Sequence, residues 1–142
     1  MDFLFFLGRF HVLVLHLPIG IVLLAIVSEL AARLPRWNQV DAAANFLWRL
    51  GSVTAVLTVV LGMLHAGEGG FNEADLAAHR IWGIAFAVVT IVVTALRGIA
   101  ESLYRTVQPV VAVLMLVLMT MTGHYGGNLT HGATYLLEYS PL

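Results

Sequence analysis

The 142-residue chain contains no cysteine and no lysine. Without cysteine it cannot form a disulfide, a thiolate-ligated metal site or a haem attached covalently through a Cys-x-x-Cys-His sequence. Charged residues make up only 11% of the chain and the formal net charge is −1, which gives no basic surface for nucleic acid. Hydrophobic residues make up 60%, with a mean hydropathy of +0.91, which is more apolar surface than a soluble domain of this length can bury. The composition therefore predicts a one-domain integral membrane protein that contacts the lipid bilayer and binds no nucleic acid.

Four apolar segments are long enough to cross a bilayer as α-helices, which takes about 20 residues. We predict them at residues 10–33, 42–66, 76–97 and 106–124, within a single four-helix transmembrane domain that covers residues 1–142. The connections between them are short, and short connections place consecutive helices side by side in opposite directions. The predicted fold class is therefore all-α integral membrane, an antiparallel four-transmembrane-helix bundle.

Single residues predict where these helices begin and bend. Pro18 lies inside the first segment and is expected to kink it, because proline has no N–H to donate. Asp41 and Thr106 suit the N-caps of the second and fourth helices, and Asn72 or Asp75 suits that of the third.

Arginine is distributed unevenly between the two sides of the predicted bundle. The side with the first and third connections carries Arg33, Arg36, Arg49, Arg97 and Arg105, whereas the side with both termini carries Arg9 and Arg80. Basic residues concentrate on the cytoplasmic side of membrane proteins. We therefore predict a bacterial inner-membrane protein whose N and C termini are periplasmic. An interfacial aromatic belt is expected from Trp37, Trp48, Trp82, Tyr104, Tyr135 and Tyr139.

All six histidines fall on the predicted periplasmic side, and every helix contributes at least one. They are His11 and His16 in the first helix, His65 in the second, His79 in the third, and His124 and His131 at or beyond the end of the fourth. Ionisable side chains at membrane depth are costly and usually mark a function. The alternative is that they are hydrogen-bonded or interfacial residues.

Four glycines are each three or four positions from a histidine, and residues at that spacing share a helix face. They are Gly20 beside His16, Gly62 beside His65, Gly83 beside His79 and Gly127 beside His124. Missing side chains beside candidate ligands would admit a flat, wide cofactor. The same glycines could instead allow close helix packing, which is common in membranes.

These features together favour haem b, which needs one or two neutral imidazoles inside a helix bundle. The candidate metal ligands are His16 and His79 on one diagonal of the bundle and His65 and His124 on the other. One haem is expected, because a second at the same end of four helices would be crowded, though not impossible. Arg9 and Arg80, the two arginines on the periplasmic side, are expected to bind the haem propionates.

The two remaining histidines are candidates for cofactor contacts. His11 lies five residues before His16, so their side chains point about 140° apart and cannot both face one iron. Gly126-Gly127 is expected to end the fourth helix and turn the chain. His131 would then fold back over the site as a second ligand or a propionate contact.

Three motifs resemble those of a family of small bacterial four-helix membrane proteins of unknown function. They are His11–Gly20 (HVLVLHLPIG), Ala78–Gly83 (AHRIWG) and Thr122–Gly132 (TGHYGGNLTHG). The family is similar to modules that occur alone or fused to planctomycete-type cytochrome c domains. The resemblance covers nearly the whole chain and implies a b-type haem in a respiratory or electron-transfer setting. His65 lies outside the three motifs.

The leading functional hypothesis is a membrane b-type cytochrome subunit, rather than a stand-alone enzyme. It would pass electrons between the quinone pool and a periplasmic cytochrome c or dehydrogenase, with a quinone site placed near Tyr125 or Tyr135. One alternative is a protein that binds a non-haem metal or handles protons, because clustered histidines do both. The other alternative is a purely structural anchor subunit of a larger membrane complex.

Overall fold

The computed structural model describes residues 3–132 and residue 134, and it contains helices and no strand within those residues. The elements are α1 (Phe3–Gly8), α2 (His11–Val14), α3 (His16–Ala32), a 3-10 helix (Pro35–Val40), α4 (Asp41–Ala66), α5 (Glu73–Ile99) and α6 (Glu101–His131). Predictions that involve Tyr135 and Tyr139 lie outside the described residues.

Four stretches of this part of the chain are long and apolar enough to cross a membrane, as predicted. They are Phe3–Ala32, Pro35–Ala66, Glu73–Ile99 and Glu101–His131, which we call the first to fourth spans. Each is longer than the predicted segment, by 5 to 12 residues. The helices continue beyond the apolar segments, so the polar residues at their ends are helical as well.

The first span is interrupted where Pro18 predicts a disturbance. Helix α2 ends at Val14 and α3 begins at His16, with Leu15 between them still in the right-handed helical region. Pro18 cannot donate to the carbonyl of Val14, four residues earlier, and its ring crowds that carbonyl. The ladder therefore breaks one turn before the proline.

The predicted caps have mixed outcomes. The Asn72 side chain accepts a hydrogen bond from the Asp75 backbone N–H at 3.1 Å and caps α5, as predicted. Asp41 is not the cap of α4, because it lies in the first turn and its carboxylate binds arginines instead. Thr106 is not the cap of α6 either. That helix already begins at Glu101, and the Thr106 hydroxyl donates to the Ser102 carbonyl inside it.

The fourth span contradicts the turn predicted at Gly126-Gly127. Helix α6 continues through both glycines to His131 and ends at Gly132, whose φ of +89° favours glycine. The Thr130 hydroxyl donates to the Gly126 and Gly127 carbonyls at 3.1 and 3.0 Å, and these bonds lie within the helix. His131 is therefore the last residue of a helix and not part of a loop that folds back.

The apolar core occupies the middle of the spans and draws on all four. Its fully buried members include Val22, Ala25, Ala55, Val93 and Met115. Close packing between the first two spans depends on Gly51, where a Cβ would lie 2.7 Å from Cγ2 of Val22. Polar side chains collect on either side of this core, near the two ends of the spans.

Candidate functional site

Three of the six histidines converge at one end of the spans, and we call His11, His65 and His79 the histidine cluster. The rings of His11 and His79 lie edge to face, with their centres 6.1 Å apart and their planes at 83°. His11 also interacts electrostatically with both His65 and His79. The first, second and third spans each contribute one imidazole to this cluster.

Backbone carbonyls fix the tautomers of two of these rings. Nδ1 of His11 lies 2.9 Å from the Thr58 carbonyl oxygen, and Nδ1 of His79 lies 3.0 Å from the Thr122 carbonyl oxygen. A carbonyl can only accept, so each Nδ1 must carry the proton and donate it. In the neutral imidazole, each Nε2 then keeps its lone pair. Histidines that ligate metals in proteins almost always donate their other ring N–H to a carboxylate, a backbone carbonyl or water.

Two glycines make room for the same two rings. A Cβ on Gly62 would lie 2.9 Å from Cε1 of His11, and a Cβ on Gly126 would lie 3.1 Å from Cε1 of His79. Gly62 was predicted to leave space for a cofactor, but the structure fills that space with the His11 ring. A side chain at either glycine would push an imidazole from its position.

Two buried polar atoms near these rings lack hydrogen-bond partners, and they are Nδ1 of His65 and Oγ1 of Thr122. Oε2 of Glu68 lies 3.5 Å from the His65 nitrogen but is not aligned for a hydrogen bond. A buried polar group without a partner costs roughly 1–3 kcal/mol. Both atoms belong to residues at or beside the histidine cluster, so this end of the spans has unsatisfied hydrogen-bonding capacity.

The N-terminal helix α1 packs against this end of the second span. A Cβ on Gly8 would collide with the backbone of His65, so glycine is required for the close approach. Next to it, Nε of Arg9 donates to Glu68 at 2.8 Å. Arg9, which was predicted to bind a propionate, therefore already has a carboxylate partner.

The remaining predicted site residues lie outside the histidine cluster. His16, His124, His131 and Arg80 are exposed, and Gly20 and Gly127 have no atom within 4 Å of a built Cβ. A Cβ on Gly83 would make only ordinary contact with the Thr122 methyl group, at 3.8 Å. The helical phase explains the difference between the first two histidines. His11 faces the second and third spans, and His16, five residues later, points away.

A second polar cluster, which the sequence analysis missed, lies near the other ends of the same spans. The carboxylate of Glu29 is 3% exposed and accepts from Trp48 Nε1 at 2.8 Å, from Tyr104 Oη at 2.6 and 2.7 Å, and from Gln108 Nε2 at 3.0 Å. Nη1 of Arg97 completes the set in a buried ion pair with the same carboxylate. We call Glu29 and these four donors the carboxylate cluster.

The carboxylate cluster connects to a more exposed rim of charged and polar side chains. Arg97 donates to Asn45 at 2.8 Å and to Asp41 at 3.3 Å, and its guanidinium carbon lies 5.1 Å from the centre of the Tyr104 ring. Asp41 also accepts from Arg105 at 3.1 Å. Every carboxylate in this region therefore has an arginine partner.

Two of the aromatic residues predicted for the interfacial belt belong to this cluster. Trp48 and Tyr104 are both fully buried, because their N–H and O–H groups find a carboxylate inside the bundle. Trp37 is 46% exposed, which is compatible with a belt position. The signal that could have identified the cluster is Glu29 itself, an acidic residue inside the first apolar segment.

Within residues 3–132 and 134, no group of three or more His, Cys, Asp or Glu side chains is arranged to hold a metal ion. The geometry at the histidine cluster is instead that of a pair of oriented imidazoles. Such a pair can supply two ligands to a centre that brings its remaining ligands with it.

The family model described as "Predicted membrane protein (DUF2231)" matches residues 9–134. The chain therefore belongs to this family of membrane proteins of unknown function, which confirms the predicted resemblance. Neither the curated proteins nor the solved structures contain a match to the chain.

Proposed function

We propose that this DUF2231 protein is a membrane b-type cytochrome that holds one haem b between His11 and His79. The observation that carries the proposal is the paired arrangement of these two rings, each fixed through Nδ1 to a backbone carbonyl. This pair replaces His16 and His79, which the sequence suggested, because His16 is exposed while His11 faces His79.

His11 and His79 would hold the haem iron through Nε2, the nitrogen that each Nδ1–carbonyl bond leaves free. Their ring centres lie 6.1 Å apart, so the two nitrogens are available to one cofactor. Two protein ligands are sufficient for haem, whose porphyrin supplies four nitrogens, whereas a structural zinc site takes four protein ligands.

The surroundings of the pair also suit a cofactor with polar edges. Nδ1 of His65 and Oγ1 of Thr122 are buried without partners and could bond to it or to associated water. Arg80 is exposed, one residue after His79, and a guanidinium there suits a propionate carboxylate. Arg9 would contribute only by exchanging its present partner Glu68.

We further propose the topology in which the spans run antiparallel and both termini are periplasmic. In the first two spans Gly8 meets His65 and Val22 meets Gly51, so the residue numbers run in opposite directions. The arginine distribution supports an orientation with the carboxylate cluster towards the cytoplasm and the histidine cluster towards the periplasm of an inner membrane.

In this setting the bound haem would supply one-electron chemistry, and the protein would supply ligation, orientation and exclusion of water. The location favours exchange of electrons between the quinone pool and a periplasmic partner such as a cytochrome c or a dehydrogenase. We propose a single haem, because a second one between His65 and His124 would need a residue that is exposed. A quinone site near Tyr125 stays a prediction.

The test is a haem-to-protein ratio on protein purified from haem-replete cells, measured as the pyridine haemochrome together with a reduced-minus-oxidised spectrum. We expect one haem per chain and, on reduction, the sharp α and β bands and Soret shift of a six-coordinate b-type centre. Stoichiometric copper, zinc or iron without porphyrin would support a non-haem metal protein instead. Absence of both would overturn the proposal and leave the structural-anchor alternative.

A further inference from the structure

The carboxylate cluster joins all four spans through a single side chain. Glu29 belongs to the first span, and its donors Trp48, Arg97 and Tyr104 belong to the second, third and fourth. We infer that this cluster holds the bundle in its final register without any cofactor, so that His11 and His79 already face each other when a ligand arrives. The role in ligand uptake rests on the proposed function, whereas the role in register does not.

The cluster is built as a fixed ion pair. Both oxygens of Glu29 are occupied by donors, and the side chains of Glu29 and Arg97 are 2% and 5% exposed. When one member of a buried ion pair is removed, the other is left charged and unpaired, and the penalty in membranes is also large. Removing both members together costs much less. A single substitution in the ion pair is therefore expected to cost more stability than the double substitution.

The positions of the two clusters along the spans explain how one sets the other. Eighteen residues separate His11 from Glu29, and eighteen separate His79 from Arg97. Eighteen residues make five turns of an α-helix, so each histidine lies on the same face as its charged partner about 27 Å away. Pairing Glu29 with Arg97 at one end thus brings His11 and His79 level with each other at the opposite end.

The fourth span repeats the same spacing. Tyr104, which donates to Glu29, lies eighteen residues before Thr122, whose carbonyl accepts from His79. The cluster therefore also sets the height of the carbonyl that orients His79. Leu15 interrupts the ladder of the first span, but its φ of −57° and ψ of −28° stay within the right-handed helical region.

The experiment measures the histidine end of the full chain in the absence of cofactor. Because the chain has no cysteine, Leu13→Cys and Ile81→Cys, at positions 72% and 66% exposed, give two unique attachment points for nitroxide labels. Pulsed electron paramagnetic resonance then reports the distance between the first and third spans in protein from haem-deficient cells. The labelled parent should show one narrow distance distribution.

Three variants and one control variant are compared on this labelled background. Glu29→Gln should broaden the distribution and lower the thermal midpoint in detergent by about 10 °C. The double variant Glu29→Gln with Arg97→Gln should recover most of the lost midpoint, because no unpaired charge remains, but its distribution should stay broader than that of the parent, because the ion pair that sets the register is gone. Tyr104→Phe, which removes one donor and keeps both charges, should give a smaller effect in the same direction, and it remains informative if Glu29→Gln does not fold. Glu101→Gln, in an exposed pair with Arg105, is the matched control and should resemble the parent.

A haem titration forms the second arm. If Glu29→Gln reduces the population of the competent bundle, its apparent haem affinity should fall roughly tenfold while the spectrum at saturation stays unchanged. Equal behaviour of Glu29→Gln and Glu101→Gln in the distance measurement would overturn the inference. If no variant binds haem but the distance results hold, the proposed function fails and the role of the cluster in register stands.

Discussion

The two polar clusters lie near opposite ends of the same four spans and are built in opposite ways. In the carboxylate cluster, Glu29 and its partners are buried and each oxygen of the carboxylate has a donor. In the histidine cluster, the rings are partly exposed and two buried atoms, on His65 and Thr122, have no partner. A saturated cluster has no capacity left for a ligand, whereas an unsaturated one with oriented nitrogens does.

This contrast indicates a division of labour within a very small membrane protein. Lipid gives little driving force for helix association, so packing and polar contacts between helices must supply it. The carboxylate cluster makes such contacts among all four spans. The histidine end can then carry unsatisfied groups, which cost stability, because the bundle is held elsewhere.

The largest expected effect comes from removing a ligand. His11→Ala should lower the haem-to-protein ratio by about tenfold or more, since even the loss of an outer-shell partner lowers affinity for a centre by 10–100-fold. The pyridine haemochrome of purified protein gives the ratio.

His16→Ala is the matched control, because His16 lies on the same span, is exposed and was the ligand suggested by the sequence. Its ratio should equal that of the parent. The reverse outcome, with haem lost in His16→Ala and kept in His11→Ala, would contradict the assignment of the pair and restore the diagonal of His16 and His79.

A smaller effect is expected from Gly62→Ala. The added methyl group would lie 2.9 Å from Cε1 of His11 and force the ring to move. Overpacking of this kind typically costs about 1–3 kcal/mol, which should appear as a haem affinity weakened by about tenfold. The affinity is measured by titration of cofactor-free protein followed at the Soret band.

Gly20→Ala provides the comparison for Gly62→Ala. Gly20 is also helical but has no atom within 4 Å of a built Cβ, so alanine is accommodated there. Its haem affinity should match the parent, with a thermal midpoint equal or slightly higher because alanine favours helix over glycine. If both variants lose affinity equally, glycine at these positions serves something other than seating the His11 ring.

The sequence predicted the spans and the end at which the histidines gather. Apolar segments of sufficient length and the distribution of residues such as His65 and His79 are read directly from the chain. Both predictions depend only on position along a helix. They therefore do not require knowledge of which face of each helix meets its neighbours.

The choice of the histidine pair and the existence of the carboxylate cluster could not be predicted, because they depend on helix phase and on pairing across the bundle. His11 and His16 are both plausible ligands in the sequence, and only the packing of the first span decides which one faces His79. Glu29 is a single acidic residue near Arg33 and does not reveal that it bonds Trp48 and Tyr104. Gly126-Gly127 predicts a turn locally, but α6 continues through both glycines to His131.

The smallest effect is expected from a neutral contact beside the carboxylate cluster. Ser52 Oγ lies 2.8 Å from Thr94 Oγ1, and both hydroxyls also reach the Trp48 carbonyl at 3.0 Å, so they link the second and third spans. Hydrogen bonds between membrane helices average about 0.6 kcal/mol in double-mutant cycles. Ser52→Ala should therefore lower the free energy of unfolding by about that amount, measured by denaturant titration in detergent.

Thr54→Val is the control, because the Thr54 hydroxyl bonds only within its own helix. A loss in Ser52→Ala as large as that in Glu29→Gln would mean that the hydroxyl pair, and not the ion pair, holds these spans together.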